Sequence, residues 1–222
     1  MKNTKFLILF ALLILPIFGF LFLQFFVTNH YKVTIYYPLD STKVGNKWQV
    51  NQYHTLPDFN FTDQNNQSFG KKNLKDKLYI AEFFFTKCGN PTLCPKMSSE
   101  LARVQEHFAK IPSVQIVSFT VDPENDTPEV LKNYSKKYNA DTKQWHFLTG
   151  EKKQIYQLAY KGFKINAGEE TTGVTPEFMH ATKFILVDKQ HRIRGYYDGT
   201  ERESVDKLIL ETQILLREYK IQ

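Results

Sequence analysis

Hydrophobic and polar positions change period several times along this 222-residue chain, and each change marks an element. Residues 6–27 (FLILFALLILPIFGFLFLQFFV) carry no charge, and only Gln24 is strongly polar. Twenty-two residues at 1.5 Å each make about 33 Å of helix, enough to cross a bilayer core. Pro16 and Gly19 are tolerated in such a helix. Lys2 and Lys5 precede it, which predicts a cytoplasmic N-terminus (residues 1–5) and an exported C-terminal part. No A-x-A-like site follows, so the pattern favours a retained anchor over a cleaved signal peptide. No cysteine lies near its end, which argues against lipid attachment. The run starts almost at Met1 without an Arg/Ser-rich presequence. That favours a bacterial envelope over a mitochondrion, and predicts a single-pass inner-membrane anchor with the C-terminal domain in the periplasm or otherwise outside the cytoplasm.

Residues 28–55 read as a spacer. YKVTIYYPL at 31–39 could make a short strand, but Pro38 and the polar stretch after it argue against a long one. The folded domain is expected over 56–222. FNFTDQNNQSF alternates around Asn65-Asn66, as a hairpin does. Residues 78–85 (LYIAEFFF) form an almost continuous apolar run, the mark of a strand buried on both faces. Pro95 suits a first helical position with Cys94 at or near the N-cap, and Leu101, Val104, Gln105 and Phe108 continue at helical spacing to about residue 110.

Beyond that helix, residues 114–121 (VQIVSFTV) predict a strand. Thr127-Pro128-Glu129 predicts a helix start, and the helix runs to about 138. Residues 145–148 are a short strand, 151–160 a helix and 164–177 a polar loop. Residues 182–187 (TKFILV) and 192–197 predict a hairpin. Thr200 and Glu203 form a T-x-x-E capping box for a last helix lined by Val205, Leu208, Ile209, Leu215, Leu216 and Tyr219. Strands alternating with helices predict an α/β domain, a central mixed and mostly parallel sheet flanked by helices.

Composition narrows the classes. A hydrophobic content of 42% and an aromatic content of 15% exclude a disordered chain. The net charge is +6, but the basic residues are scattered and no nucleic-acid motif appears, so they read as a solvated surface that favours anionic lipid or an acidic partner. Two cysteines are too few for a disulfide scaffold. Cys88 and Cys94 instead flank a loop between the 78–85 strand and a helix start, at the carboxyl end where α/β folds place their sites. A helix N-terminus favours thiolate, and two thiolates suit Cu(I), a soft ion, or Zn. Of six histidines, His180 is the best third ligand, since the start of an antiparallel strand can come level with the carboxyl ends of its neighbours. The bland reading is a loop histidine. Met97 and Met179 are soft donors nearby, though a lone methionine is more often packing. His30 and His54 fall in the spacer, and His107, His146 and His191 read as structural or solvated.

Four phrases in order, FFFTKC…CP at 83–95, FTVDPENDTPEVLKNY at 119–134, WHFLTG at 145–150 and HATKFILVD at 180–188, resemble the SCO/SenC family. The likeness covers residues 55–222 and includes the anchor. The family comprises membrane-anchored copper chaperones of cytochrome c oxidase assembly with a thioredoxin-like fold. The resemblance implies copper, Cu(I) or Cu(II), held by Cys88, Cys94 and His180. It also implies an acidic residue near the metal at Asp122, where the alternative is a surface turn. The implied partner is the copper-bearing subunit of cytochrome c oxidase or another thiol or copper protein, with no nucleic acid.

The family pattern is usually C-x-x-x-C-P, whereas five residues, Gly89 to Leu93, separate the thiols here. Two extra residues that bulge outward leave the sulfurs in place. A widened pair changes metal preference or reduction potential, since a disulfide needs Cα atoms within about 7 Å. The competing function is a membrane-anchored thiol–disulfide oxidoreductase using Cys88 and Cys94. The chain lacks C-x-x-C, and His180-Ala181 stands where the thioredoxin proline is expected. A peroxiredoxin is disfavoured because Thr86 is only two residues before Cys88. A static bridge between the two cysteines is the structural alternative.

Overall fold

The computed structural model describes residues 2–26, 31–87, 93–165 and 182–220. The chain divides into two units, Met1–Lys32 and Val33–Gln222.

The first unit holds helix α1, Lys2–Phe26, with Pro16 inside it. Its described side chains run from Phe10 to Phe22 and are nearly all exposed. Those thirteen residues make about 20 Å of helix. Among the described residues no helix is long and apolar enough to cross a membrane.

The second unit begins inside the stretch expected to be a spacer. Strands β1 (Pro38–Val44) and β2 (Lys47–Tyr53) form an antiparallel hairpin of their own. It turns at Gly45, whose φ of 62° suits a residue without a Cβ. Before it, Val33 is buried in the core, and the buried Arg194 guanidinium donates to the carbonyls of Val33 (2.7 Å) and Thr34 (3.0 Å). Residues 33–55 therefore belong to the folded unit. The alternation was unreadable because nearly every hairpin residue is exposed on both faces, which leaves no apolar side.

The main sheet is built from β3 (Asn60–Asp63), β4 (Ser68–Gly70), β5 (Leu78–Phe84), β6 (Val114–Thr120), β7 (Trp145–Thr149), β8 (Lys183–Val187) and β9 (Ile193–Asp198). Their order is β4-β3-β7-β6-β5-β8-β9. The central strands β5, β6 and β7 run parallel, while β3, β8 and β9 pair antiparallel, giving the mixed sheet. At the first hairpin the Asp63 carboxylate accepts from the Asn65 and Gln67 amides at 2.8 Å, and Asn66 takes a left-handed φ of 59°. This side chain-to-backbone turn is what Asp and Asn favour.

Every residue of β5, β6 and β7 is buried. The cause is cover on both faces. Tyr79, Ala81 and Phe83 of β5 point into one core, with Phe61, Phe119 and Phe163. Phe119 stacks on Phe83 with ring centres 5.1 Å apart and meets Phe59 edge-on at 5.5 Å. Leu78, Ile80 and Phe84 point into the other. That second core takes the apolar faces of three further helices: α2 (Leu93–His107), α3 (Pro128–Lys137) and, after the short α4 (Lys152–Gln157) on the first face, α5 (Arg202–Glu218).

The helix α2, Leu93–His107, keeps Cys94 and Pro95 in its first turn, as expected, where a missing N–H costs nothing. One helix start differs from the sequence reading. The T-x-x-E box at Thr200 does not form, and the residue before α5 is Glu201. Both the amide and the hydroxyl of Thr200 donate to Asp198 instead, at 2.9 and 2.6 Å, and Asp198 N donates to Ser204 Oγ. The expected start at Thr127 holds, with its hydroxyl accepting from Val130 N.

Candidate functional site

The carboxyl ends of β5 and β6 form one edge of the sheet, beside which the described flanks of the expected site lie. Strand β5 leads through Thr86 and Lys87 towards Cys88, and α2 leaves from Cys94. Strand β8 runs antiparallel to β5, with Ile185 opposite Ala81. The end of β5 and the start of β8 therefore share one edge of the sheet. Beside them, Val121 N donates to Phe84 O at 2.8 Å, which sets Asp122 at the same edge.

Cys94 is 7% exposed, in the first turn of α2. Asp122 is half-buried at the end of β6, and its carboxylate accepts from Asn125 Nδ2 at 2.9 and 3.1 Å. Its amide donates to Thr120 Oγ1 and its carbonyl accepts from Asn125 and Asp126 amides, a tight turn. Cys88, His180 and Met179 lie outside the described residues. Among the described residues no three His, Cys, Asp or Glu side chains group to hold a metal. Met97 packs in the core beneath α2, the bland reading of that residue.

The described histidines are tied elsewhere. His54 Nε2 meets Gly162 O at 2.8 Å, and His107 Nε2 meets Gln213 Nε2 at 2.7 Å. His146 is buried against Phe69, with Nε2 at 2.9 Å from Gln115 Oε1. Burial pushes its imidazole down to about 4, so it stays neutral. His191 sits in the β8–β9 turn with a left-handed φ of 59°.

Two acids went unnoticed in the sequence. Asp126 is fully buried and ties the two strand ends together. It accepts from Thr86 N at 3.1 Å, from the Thr86 hydroxyl and from the Thr120 hydroxyl. It therefore braces the backbone two residues before Cys88, and no periodicity marks it. Glu82 was legible: it is the one charge in the doubly buried run 78–85. It is 1% exposed on β5, facing the second core. Trp145 Nε1 donates to Ser118 Oγ at 2.9 Å, and that hydroxyl donates to Glu82 Oε1 at 2.6 Å. Among the described residues Glu82 Oε2 has no hydrogen-bond partner. Burial raises the carboxyl to about 7, against the opposing Ser118 bond.

An α/β domain of this strand order, with a thiol in the helix turn after a central strand, is of the thioredoxin-like class. The SCO1/SenC family model matches residues 49–214, and the chain belongs to that family. The SCO1 protein homolog of Bacillus subtilis is 32% identical over 161 residues, 70% of this chain and 79% of its own length. A Stutzerimonas stutzeri protein, named "Putative copper-binding protein", is 33% identical over 159 residues, 66% of this chain and 74% of its own length. The solved structure of BsSco superposes with a TM-score of 0.61 at 30% identity, covering 73% of this chain and 93% of that one. BsSco is described as carrying a disulfide switch and as a member of the Sco family of cytochrome c oxidase assembly proteins.

Proposed function

We propose that the protein is a copper metallochaperone that delivers the ion to a copper-bearing subunit of a respiratory cytochrome c oxidase. Cys88, Cys94 and His180 hold the ion, with Asp122 beside the site. The observation that carries this reading is topological. The antiparallel pairing of β8 with β5 directs the segment after His180 and the segment before Cys88 to one sheet edge, and Cys94 lies in the first turn of the helix that follows β5. Membership of the family and the copper-binding and oxidase-assembly descriptions of its relatives support it. Two thiolates and an imidazole match the preference of Cu(I) for soft and borderline donors. Thiolates released one at a time pass the ion to a recipient by ligand exchange. The charge-free run at 6–27 supports a single-pass anchor in a bacterial inner membrane, with the domain outside the cytoplasm.

Copper titration of the reduced full chain in detergent tests the reading. The wild type takes up one copper, and His180→Ala binds it at least about tenfold more weakly, the loss that removing even a residue hydrogen-bonded to a ligand brings. Unchanged affinity refutes the three-ligand site.

A second reading draws on the disulfide switch of BsSco. One thiolate attacks a partner disulfide and forms a mixed disulfide. The other thiolate resolves it, releasing the partner as a dithiol and leaving a Cys88–Cys94 disulfide. In that case the same His180→Ala chain keeps full reductase turnover while Cys88→Ser has none.

A further inference from the structure

The β1–β2 hairpin forms a two-stranded sheet of its own, apart from the seven-stranded sheet. Its base is fastened. Tyr36 N donates to Ile193 O at 3.0 Å, Tyr196 Oη donates to Tyr37 Oη at 3.1 Å, and the Arg192 guanidinium lies 5.9 Å from the Tyr53 ring centre. Its tip is open to solvent among the described residues: Trp48 is 70% exposed and Val44 is 60% exposed. Pairing sets Trp48 opposite Lys43 and Val44 opposite Lys47. Adjacent cross-strand pairs point to opposite faces. Each face of the tip therefore presents one large apolar group beside one lysine. No Asp or Glu occurs from residue 41 to residue 57. Asp40, at the base, is held by Asn51 Nδ2 at 3.1 Å.

We infer that this tip is a lipid-contacting element that inserts Trp48 and Val44 into the headgroup region of an anionic bilayer, with Lys43 and Lys47 on the phosphates. The choice of lipid over a protein partner follows from the two faces. A folded partner covers one side of a hairpin arm, whereas a bilayer interface surrounds the tip and takes up Trp48 and Val44 together. Tryptophan favours that interface, lysine stems extend along it to the phosphates, and cationic side chains gain from anionic lipid. Chain length permits it. From Phe26 at the end of α1 to the buried Val33 is seven residue steps, at most about 25 Å, comparable with the arm's own length of about 20 Å. The inference rests on the reading of α1 as an anchor. Contact at the tip would restrain the domain relative to the membrane in which its proposed recipient lies.

The chain supplies its own probe, because it has two tryptophans and Trp145 is wholly buried. The full chain is reconstituted into phosphatidylcholine–phosphatidylglycerol vesicles with and without brominated lipid, and a Trp48→Phe chain gives the Trp145 background. The Trp48 emission is expected to shift to the blue, to lose roughly half its intensity to brominated lipid, and to be shielded from acrylamide. Lys43→Glu with Lys47→Glu is expected to reverse these effects. Carbonate washing reports the anchor separately. A carbonate-resistant chain whose Trp48 is quenched by acrylamide and untouched by brominated lipid overturns the tip contact alone, and leaves the tip to a protein partner. A chain stripped by carbonate overturns the anchor and the tip contact with it.

Discussion

Replacing Glu82 with Gln gives a sharp test of how the sheet tolerates a buried acid. Glutamine keeps the shape and the acceptor that Ser118 uses, and removes the charge. In the folded protein the Glu82 carboxyl titrates at about 7 instead of 4.5. The folded value is above the unfolded one, so the folded state keeps a proton that the unfolded state has released. Stability is accordingly untouched by this group below about pH 4.5 and falls as pH rises towards 7. At 1.4 kcal/mol per pH unit the full loss is about 3 kcal/mol above pH 7. The variant does not pay it, but it buries an amide N–H₂ where Oε2 had no partner, at about 1 kcal/mol. Glu82→Gln is therefore expected to be about 1 kcal/mol less stable than wild type at pH 4.5 and about 2 kcal/mol more stable at pH 8. Urea unfolding of the reduced full chain in detergent, at the two pH values, measures the difference. All other titrating groups are common to both chains and cancel. A stability gap that does not change sign between those pH values refutes the reasoning.

Other substitutions test the braces around the site and the fold. Asp126→Ala leaves Thr86 N and the Thr86 and Thr120 hydroxyls without their acceptor. The expected loss of unfolding free energy in urea is about 3 kcal/mol, with faster amide exchange at Thr86; a loss under about 1 kcal/mol would show the brace is idle. Arg194→Leu removes a cation, 2% exposed, that binds Asp188, Tyr219 and the carbonyls of Val33 and Thr34. It is expected to cost about 3–5 kcal/mol and to release residues 33–36, read by proteolysis near Val33; unchanged protease resistance there contradicts the assignment of those residues to the folded unit.

Much of the fold is legible from residue order alone. The runs at 78–85, 114–121 and 145–148 announce β5, β6 and β7, because a strand covered on both faces must be apolar at almost every position. Thr127-Pro128 announces α3, because its hydroxyl and ring act on the neighbouring backbone within one turn. The thiol pair and His180 are an expectation from the sequence, and of these ligands the structure describes only Cys94. What residue order left undecided are outcomes of competition between distant groups. Thr200 gave its hydroxyl to Asp198 rather than to α5. Asp126, not Asp122, took the two threonines that tie β5 to β6. The hairpin at 38–53 has no apolar side to betray it, and it is fastened by Arg192 and Tyr196 from the far end of the chain. The direction of β8 beside β5, on which the meeting of the two halves of the proposed site depends, is a matter of long-range pairing. Local propensity acts over a turn or two, whereas which partner wins a buried hydrogen bond or a sheet edge is settled only when the whole chain has packed.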